Sequence, residues 1–561
     1  MGSTTSFSLL FPPGTGGSYR ISDEVSADFG LDSIAEQFCG EGIDRSDALD
    51  TLLSLVLDRD AIEFRQDVFF ELASRPELAD GLGRILPKIR ELTVFNRTAR
   101  EADSPVLHAI WRLGELDLFV ECVTEMSTVL DRNGASVRSA GLRGLRDLLR
   151  DTTANDAFRS LVRELPKLRE GLKRKRSVTI GINLDERMRP FEATLISVNE
   201  TPFRERTLLG DFFSETNPFT TPTTLFRNPS AETLGFPSGS RVPLSPLFQD
   251  IDVLLKSTVR PIIKSIDGYL RVETEFIRRV APELGFYLGG VRFMRRLVEN
   301  GLPVCRPVIR GSDERVFRAR ELYNVQLALR FLAEKKRRVG AEIVGNDIDF
   351  SDDARLFVLT GPNQGGKTTF LQAVGLAHIC AQAGLFVPAA SAEISPVDAI
   401  ATHFPAEEKG RLETGRLGEE AARLSSMFST ITRHSLVLLN ESLSSTGPGD
   451  GYYLAGDVLC ALRVLGARGV FATHLHELAS RIDELNTRVG GESRIASLVA
   501  QTVDGSASGS APDGEPATRA VRTFRIVRSE PEGKSYARDV ASRYGISYDQ
   551  LVGTLKKRGV L

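Results

Sequence analysis

Nine consecutive residues, Gly361-Pro362-Asn363-Gln364-Gly365-Gly366-Lys367-Thr368-Thr369, have the types and spacing that can hold a phosphate chain. Glycines at both ends of the Gly361-x-x-x-x-Gly366-Lys367-Thr368 spacing let successive backbone N–H groups turn inward. Lys367 carries a cation to the terminal phosphate oxygens, and the Thr368 hydroxyl suits a Mg²⁺ ligand. The run follows Leu356 to Thr360, a buried-strand pattern, and opens a helical one at Thr369. This is the strand, loop and helix context that a Walker A loop requires, with the helix N-terminus facing the same anion. ATP with Mg²⁺ is the expected occupant.

Two further segments carry groups that ATP hydrolysis uses. The apolar run Ser435 to Leu439 ends in Asn440-Glu441, where a P-loop enzyme places a Mg²⁺-orienting acid and then a carboxylate that polarises the attacking water. Here the first position is an amide. Asn440 can hold a metal-bound water through its carbonyl but adds no negative charge, so weaker Mg²⁺ affinity or slower turnover is expected. Glu441 retains the general-base carboxylate, a contribution on the order of 10²- to 10⁴-fold. A third run, Val470 to Thr473, delivers His474 to the carboxyl edge of a parallel sheet, where ligands of open α/β sheets collect. Its spacing from the other two segments selects His474 as a γ-phosphate sensor; His476 reads as structural.

The elements that must position these groups change character along the chain. From about Ala27 to Arg176 leucines recur at spacings of three and four, as at Leu142, Leu145 and Leu149, and predict successive helices. Ser177 to Val198 shows short β-branched runs around a polar turn, the pattern of a hairpin. Asn199 to Gln249 is rich in Pro, Thr and Ser and holds seven phenylalanines without helical or strand period. So aromatic an insertion is expected to pack or to meet a partner. Ile251, Leu255, Val259, Ile262, Ile266 and Leu270 form one stripe of an amphipathic helix. Helical patterns then continue to about Val339 with a break near Gly301 to Arg310. From Ala341 the order becomes strand, Gly-rich turn, helix, strand. Residues 504–517 are a Gly/Ser/Pro-rich loop expected to be disordered, followed by a strand at Phe524 to Val527 and closing helices from Ser535 to Lys557. Three segments result: 1–45, a helical 46–340 that includes the hairpin and the insertion 199–249, and an α/β 341–561.

Composition narrows the class. The chain has 561 residues, 41% hydrophobic and 26% charged, averages for a globular protein of several domains. Lysines and arginines number 71 against 74 acids, so no global charge draws it to a phosphate polymer and only local patches could. Lys167 to Arg176 and Glu334 to Arg338 are the basic runs; a solvated helix end or a domain interface is the commoner meaning of such runs, with DNA the alternative. Five scattered cysteines without a CxxC pair suggest neither disulfides nor zinc. With no long apolar stretch and no basic leader, a cytoplasmic protein without a membrane segment is expected.

The Walker A run TGPNQGGKTT, the strand and acid LVLLNES with Ser444-Ser445-Thr446 after it, and FATHLHEL occur in one order. In that order they resemble the MutS family of mismatch-repair ATPases. Asn346-Asp347, GLFVPA at Gly384 to Ala389 and GKSYARDVA at Gly533 to Ala541 extend the likeness. FRQDVFFEL at Phe64 to Leu72 and GINLD at Gly181 to Asp185 are similar to that family's helical lever region.

The resemblance implies a mixed fold class, a mainly α-helical lever/core domain followed by an α/β P-loop ATPase domain of ABC type. It also implies a homodimer whose ATP sites are closed by a signature segment from the partner subunit. The corresponding segment, Glu413 to Glu420, lacks the family's Ser-Thr-Phe, so closure would rest on Gly415, Gly418 or Arg416. No mismatch-reading domain with a Phe-x-Glu wedge and no connector domain is evident, and the arms of a DNA clamp have little room. The expected function is an ATPase acting on DNA or on a DNA-bound repair protein without base-level mismatch reading. The rival is an ATP-gated protein scaffold that touches no DNA. A small-molecule kinase is disfavoured, since nothing between Thr369 and Glu441 suggests an acceptor pocket.

Overall fold

The computed structural model describes residues 7–15, 17–101, 105–132, 137–173, 177–184, 186, 190–199, 201, 275–334, 339–405, 416–443, 448–505, 519–530 and 548–558. The Phe-rich insertion, the amphipathic stripe from Ile251, the loop after Gly505, GKSYARDVA, Ser444 to Thr446 and the first residues of the signature segment lie outside them. Two compact units are present, one of residues 1–86, 129–146 and 279–561, the other of residues 87–128 and 147–278.

In the larger unit a six-stranded sheet carries the motif segments. Its strands are β8 (Ala354–Thr360), β10 (Ile400–His403), β11 (Leu436–Asn440), β12 (Arg468–Ala472), β13 (Arg494–Gly505) and β14 (Arg519–Arg528), in the order β10-β11-β12-β8-β13-β14. All pairings are parallel except the edge strand β14 on β13. Parallel strands covered on both faces read as continuous apolar runs rather than alternating ones, and every residue of β8, β11 and β12 is buried. One packing layer joins Val358, Val437, Leu439 and Phe471 of the sheet to Leu459, Leu462, Leu478 and Leu485 of the helices beyond it. Each such side chain contributes roughly 1.5–3 kcal/mol by leaving water. The helix Lys367–Gln382 follows β8 and is buried along nearly its whole length.

A second sheet orders β5 (Val308–Ile309), β9 (Ser391–Ile394), β6 (Phe317–Leu322) and β7 (Asn346–Phe350). β6 pairs antiparallel with both β7 and β9. Phe317, Ala319 and Leu322 are buried while Arg318, Arg320 and Glu321 are exposed; two arginines and a glutamate hide this strand among helical patterns. The N-terminal helices also belong with the α/β part. Within Asp23–Phe29, the Phe29 ring meets Phe404 at 6.3 Å, the Asp28 carbonyl accepts from Gln372 Nε2 at 2.8 Å, and its carboxylate accepts from Thr402 Oγ1 at 2.5 Å. Helical period signals a buried face but does not name the element that buries it. A short pair, β1 (Ser18–Arg20) with β2 (Ser54–Val56), completes this region.

FRQDVFFEL lies on the helix Arg59–Ser74, capped by the Asp58 carboxylate, which accepts from Asp60 N and Ala61 N. Two of its charged residues are buried with defined partners. Arg65 Nε donates to Leu10 O at 2.9 Å, and Glu71 accepts from the backbone N–H groups of Arg138 and Ser139, both at 2.7 Å. Those three hydrogen bonds offset part of the cost of burying two charged groups, while Arg65 Nη1 is buried without a hydrogen-bond partner among the described residues.

The smaller unit is helical, with the expected hairpin of β3 (Ser177–Leu184) and β4 (Pro190–Asn199) pairing antiparallel. Phe119 packs edge-on against Phe158 and Phe276, at 6.0 and 6.2 Å between ring centres. Lys88 bridges Glu121 and Glu125, each at 2.6 Å.

Candidate active site

Sheet register brings the separate motifs together. Leu359 of β8 pairs with Ala472 of β12, and Ala472 with Asn440 of β11, so the three strands end in one row. Whatever follows each strand therefore emerges along one edge: Gly361 after β8, Glu441 after β11, Thr473 and His474 after β12.

The loop after β8 owes its shape to two glycines. Gly361 has φ 144°, and a Cβ there would stand 2.6 Å from the Ala500 side chain; Gly366 has φ 94° and caps the helix that starts at Lys367. Pro362 and Gly365 are buried beneath the turn, where Gly365 N donates to Pro362 O at 3.0 Å, while Asn363 and Gln364 are exposed at its tip. Gln364 adopts a left-handed φ of 61° without being glycine, and its side-chain oxygen accepts from Arg522 Nη1 at 2.8 Å. Thr369 turns its carbonyl to Asn324 Nδ2 at 3.0 Å.

Lys367 is buried with its Nζ donating to Gly361 O at 3.1 Å and Pro362 O at 3.3 Å. Burial pushes its pKa down to about 8, against the pull of the Glu441 carboxylate. Thr368 Oγ1 stands 3.3 Å from Asn440 Oδ1. His474 Nε2 lies 2.7 Å from Glu441 Oε1. An ionised carboxylate only accepts, so Nε2–H is the donor. Lys367 Nζ is 3.4 Å from the same nitrogen. The His474 hydrogen bond, aided by its positive potential and that of Lys367, holds the Glu441 carboxyl below its usual range despite partial burial. His476 opens the next helix, and burial lowers its pKa.

Sequence reasoning missed four contributors. Arg522 fixes the loop tip from the edge strand, Glu420 accepts from Leu443 N at 2.8 Å, and buried His403 meets buried Ser442 at 2.7 Å between Nδ1 and Oγ. Ser442 lies in the LVLLNES run and Glu420 ends the segment Glu413 to Glu420, but neither motif assigns the side chain a contact, and no local signal marks His403 or Arg522.

These residues fit a nucleotide triphosphate with Mg²⁺. The helix behind Gly366 has no side-chain cap on its first turn, leaving N–H donors and a buried ammonium at one point, an anion cradle. Thr368 and Asn440 offer neutral hard oxygens. Among the described residues no group of three or more His, Cys, Asp or Glu could hold a metal ion.

Residues 357–504 match the family description MutS domain V, and residues 57–300 match the MutS2 N-terminal domain. The chain belongs to the MutS family. A DNA mismatch repair protein MutS from Chlorobium chlorochromatii is 32% identical over 235 residues, 40% of this chain and 25% of that protein. DNA mismatch repair protein MutS 2 of Halobacterium salinarum is 38% identical over 149 residues, 26% of this chain and 17% of that one. A MutS from Prochlorococcus marinus is 39% identical over 138 residues, 24% of this chain and 15% of its own. The match to the Chlorobium protein thus spans a quarter of that MutS, and the other two less. Both segments quoted for the MutS lever region, FRQDVFFEL and GINLD, fall inside the MutS2 N-terminal match. Among the described residues no helix is long and apolar enough to cross a membrane.

Proposed function

We propose that this chain is an ATPase that binds ATP and Mg²⁺ in a P-loop domain of ABC type, hydrolyses ATP as a homodimer, and moves a helical lever acting on DNA in repair or recombination. The observation that carries the reading is the single row of strand ends that unites Lys367, the Thr368–Asn440 pair and the Glu441–His474 pair. Residues 341–561 are proposed as the ATPase part and 46–340 as the lever-bearing part.

In this reading the Gly361–Thr369 backbone and Lys367 bind the phosphates. Thr368 and Asn440 would hold Mg²⁺, which supplies charge neutralisation on the phosphate oxygens. Glu441, an available carboxylate at neutral pH, takes the proton of the attacking water as its oxygen bonds to the γ-phosphorus and ADP leaves. His474 orients Glu441 through Nε2–H and faces the γ-phosphate.

The depressed Lys367 pKa gives this reading a pH signature. Below about 8 the lysine is charged; above it the folded protein loses the proton that the unfolded chain keeps to 10.5. ATP affinity is expected to weaken by up to about tenfold per pH unit above 8. The same group's contribution to stability rises with pH between 8 and 10.5, because there the unfolded state binds more protons. Fluorescent-nucleotide titration and thermal melts from pH 6.5 to 9.5 should therefore move in opposite directions; affinity constant through pH 9.5 contradicts the assignment of Lys367.

Fluorescence anisotropy on duplex, mismatched and branched DNA, with ADP, ATP or neither, tests the DNA half of the proposal. Nucleotide-dependent binding that falls steeply with salt, with a log–log slope of about −0.9 per phosphate neutralised, is the expected result. A second reading, an ATP-gated protein scaffold, draws support from the basic run at Lys167. Lys167 pairs with Glu164 at 2.9 Å, and Arg169 Nε with Asp117 at 2.9 Å, so both cations already have carboxylates. Flat anisotropy at low salt in every nucleotide state favours it.

A further inference from the structure

We propose that Glu420 is a positioning residue that sets the geometry of the Glu441 carboxylate from a different helix. The inference rests on the reading of Glu441 as general base and adds a control point to that site. Directly after β11 the chain takes an unusual path: Glu441 has φ 51° and Leu443 φ 61°, both left-handed without being glycine. Such residues persist only where the surroundings over-determine them, and they gather at functional sites.

Three holds supply that determination. Glu441 N donates to Ala472 O at 2.8 Å, which ties the turn to β12. Ser442, buried, meets His403 Nδ1 at 2.7 Å, which ties it to β10. Leu443 N donates to Glu420 Oε2 at 2.8 Å, which ties it to the helix Arg416–Phe428. The first two holds come from strands of the same sheet and move with it. Only the third comes from an element outside the sheet, and Leu443 is itself buried, so withdrawal of the carboxylate would take away this acceptor from its N–H.

The consequence is directional. Glu420 closes the segment Glu413 to Glu420, and a shift or rotation of its helix pulls on Leu443, two residues from the carboxylate that His474 holds on the other side. Glu441 is thereby held between a sheet-borne histidine and a helix-borne glutamate, and the helix sets whether the base is aligned.

The experiment measures single-turnover hydrolysis and ATP affinity for Glu420→Ala, Glu420→Gln and Glu420→Asp, each with Glu441 intact and with Glu441→Gln. Loss of alignment is expected to slow hydrolysis by about 10- to 100-fold in Glu420→Ala while ATP affinity stays within about twofold. Glu420→Gln should run near the parental rate, since its amide oxygen still accepts from Leu443 N–H. Glu420→Asp keeps the charge but is one methylene short, and should resemble alanine even if alanine itself folds poorly. With Glu441→Gln in place, Glu420→Ala should add no further loss, because two residues acting through one step are non-additive. The proposal is overturned if Glu420→Ala and Glu420→Asp hydrolyse at the parental rate, if Glu420→Gln is as slow as alanine, or if the losses multiply. Parental hydrolysis by Glu441→Gln alone would overturn the general-base reading and this inference with it. A slow Glu441→Gln beside fully active Glu420 variants would remove this inference only.

Discussion

Lys367→Ala is expected to abolish ATP binding, raising the dissociation constant by about 10²- to 10³-fold or more, while the fold survives. A buried ammonium is costly to keep charged, as its pKa of about 8 records, so its removal relieves burial rather than adding to it. What the variant loses is two hydrogen bonds to loop carbonyls at 3.1 and 3.3 Å. Toward a triphosphate the loss is larger, because hydrogen bonds to charged groups contribute roughly 1.5–3 kcal/mol each and the lysine offers more than one. Equilibrium titration with a fluorescent ATP analogue, paired with a thermal melt, separates the two effects. Tight ATP binding by a folded Lys367→Ala protein would refute the site.

Glu441→Gln is expected to bind ATP and hold it. Glutamine keeps the length of the side chain, and its amide oxygen can still accept from His474 Nε2–H, so the 2.7 Å contact survives. The proton acceptor does not, and turnover should fall by about 10²- to 10⁴-fold. The substitution also removes the negative charge that supports the Lys367 ammonium, so the variant should lose ATP affinity at a lower pH than the parent. Binding is best compared at pH 7, where the lysine still carries its proton. Single-turnover hydrolysis of radiolabelled ATP measures the chemical step, and parental rates would mean that another group is the base.

Much of this site was legible before any coordinates, because its parts are contiguous. The Walker A glycines declare themselves by spacing, and the two positive φ values at Gly361 and Gly366 are the reason those positions must be glycine. Asn440, Glu441 and His474 stand at the ends of largely apolar runs, which is how fully buried parallel strands read. The hairpin at β3 and β4 showed itself by short β-branched runs around a polar turn.

Other parts were hidden for stated reasons. β6 carries Arg318, Arg320 and Glu321 on its exposed face, and so passes for part of a helix until its antiparallel partners appear. Helical period in residues 27–86 announced amphipathic helices but not that Phe29 and Asp28 would meet Phe404, Gln372 and Thr402. Glu420, His403 and Arg522 belong to the site only because the sheet and its flanking helix carry them there, at separations of 23, 39 and 158 residues from their partners.

The sequence by itself determined the chemical inventory: a glycine-rich phosphate-loop pattern, a lysine, a hydroxyl, an amide where an acid is usual, a carboxylate and a histidine, each written as a short local pattern of strand, turn and residue type. The tertiary structure alone decided the arrangement, namely the row of Leu359, Ala472 and Asn440 that makes three strand ends one edge, and the left-handed turn in which the Leu443 N–H donates to Glu420 of a separate helix. Turn chemistry and burial act between neighbours in the chain and so leave a local trace, whereas strand register and side-chain holds across the sheet are satisfied only when the whole core closes.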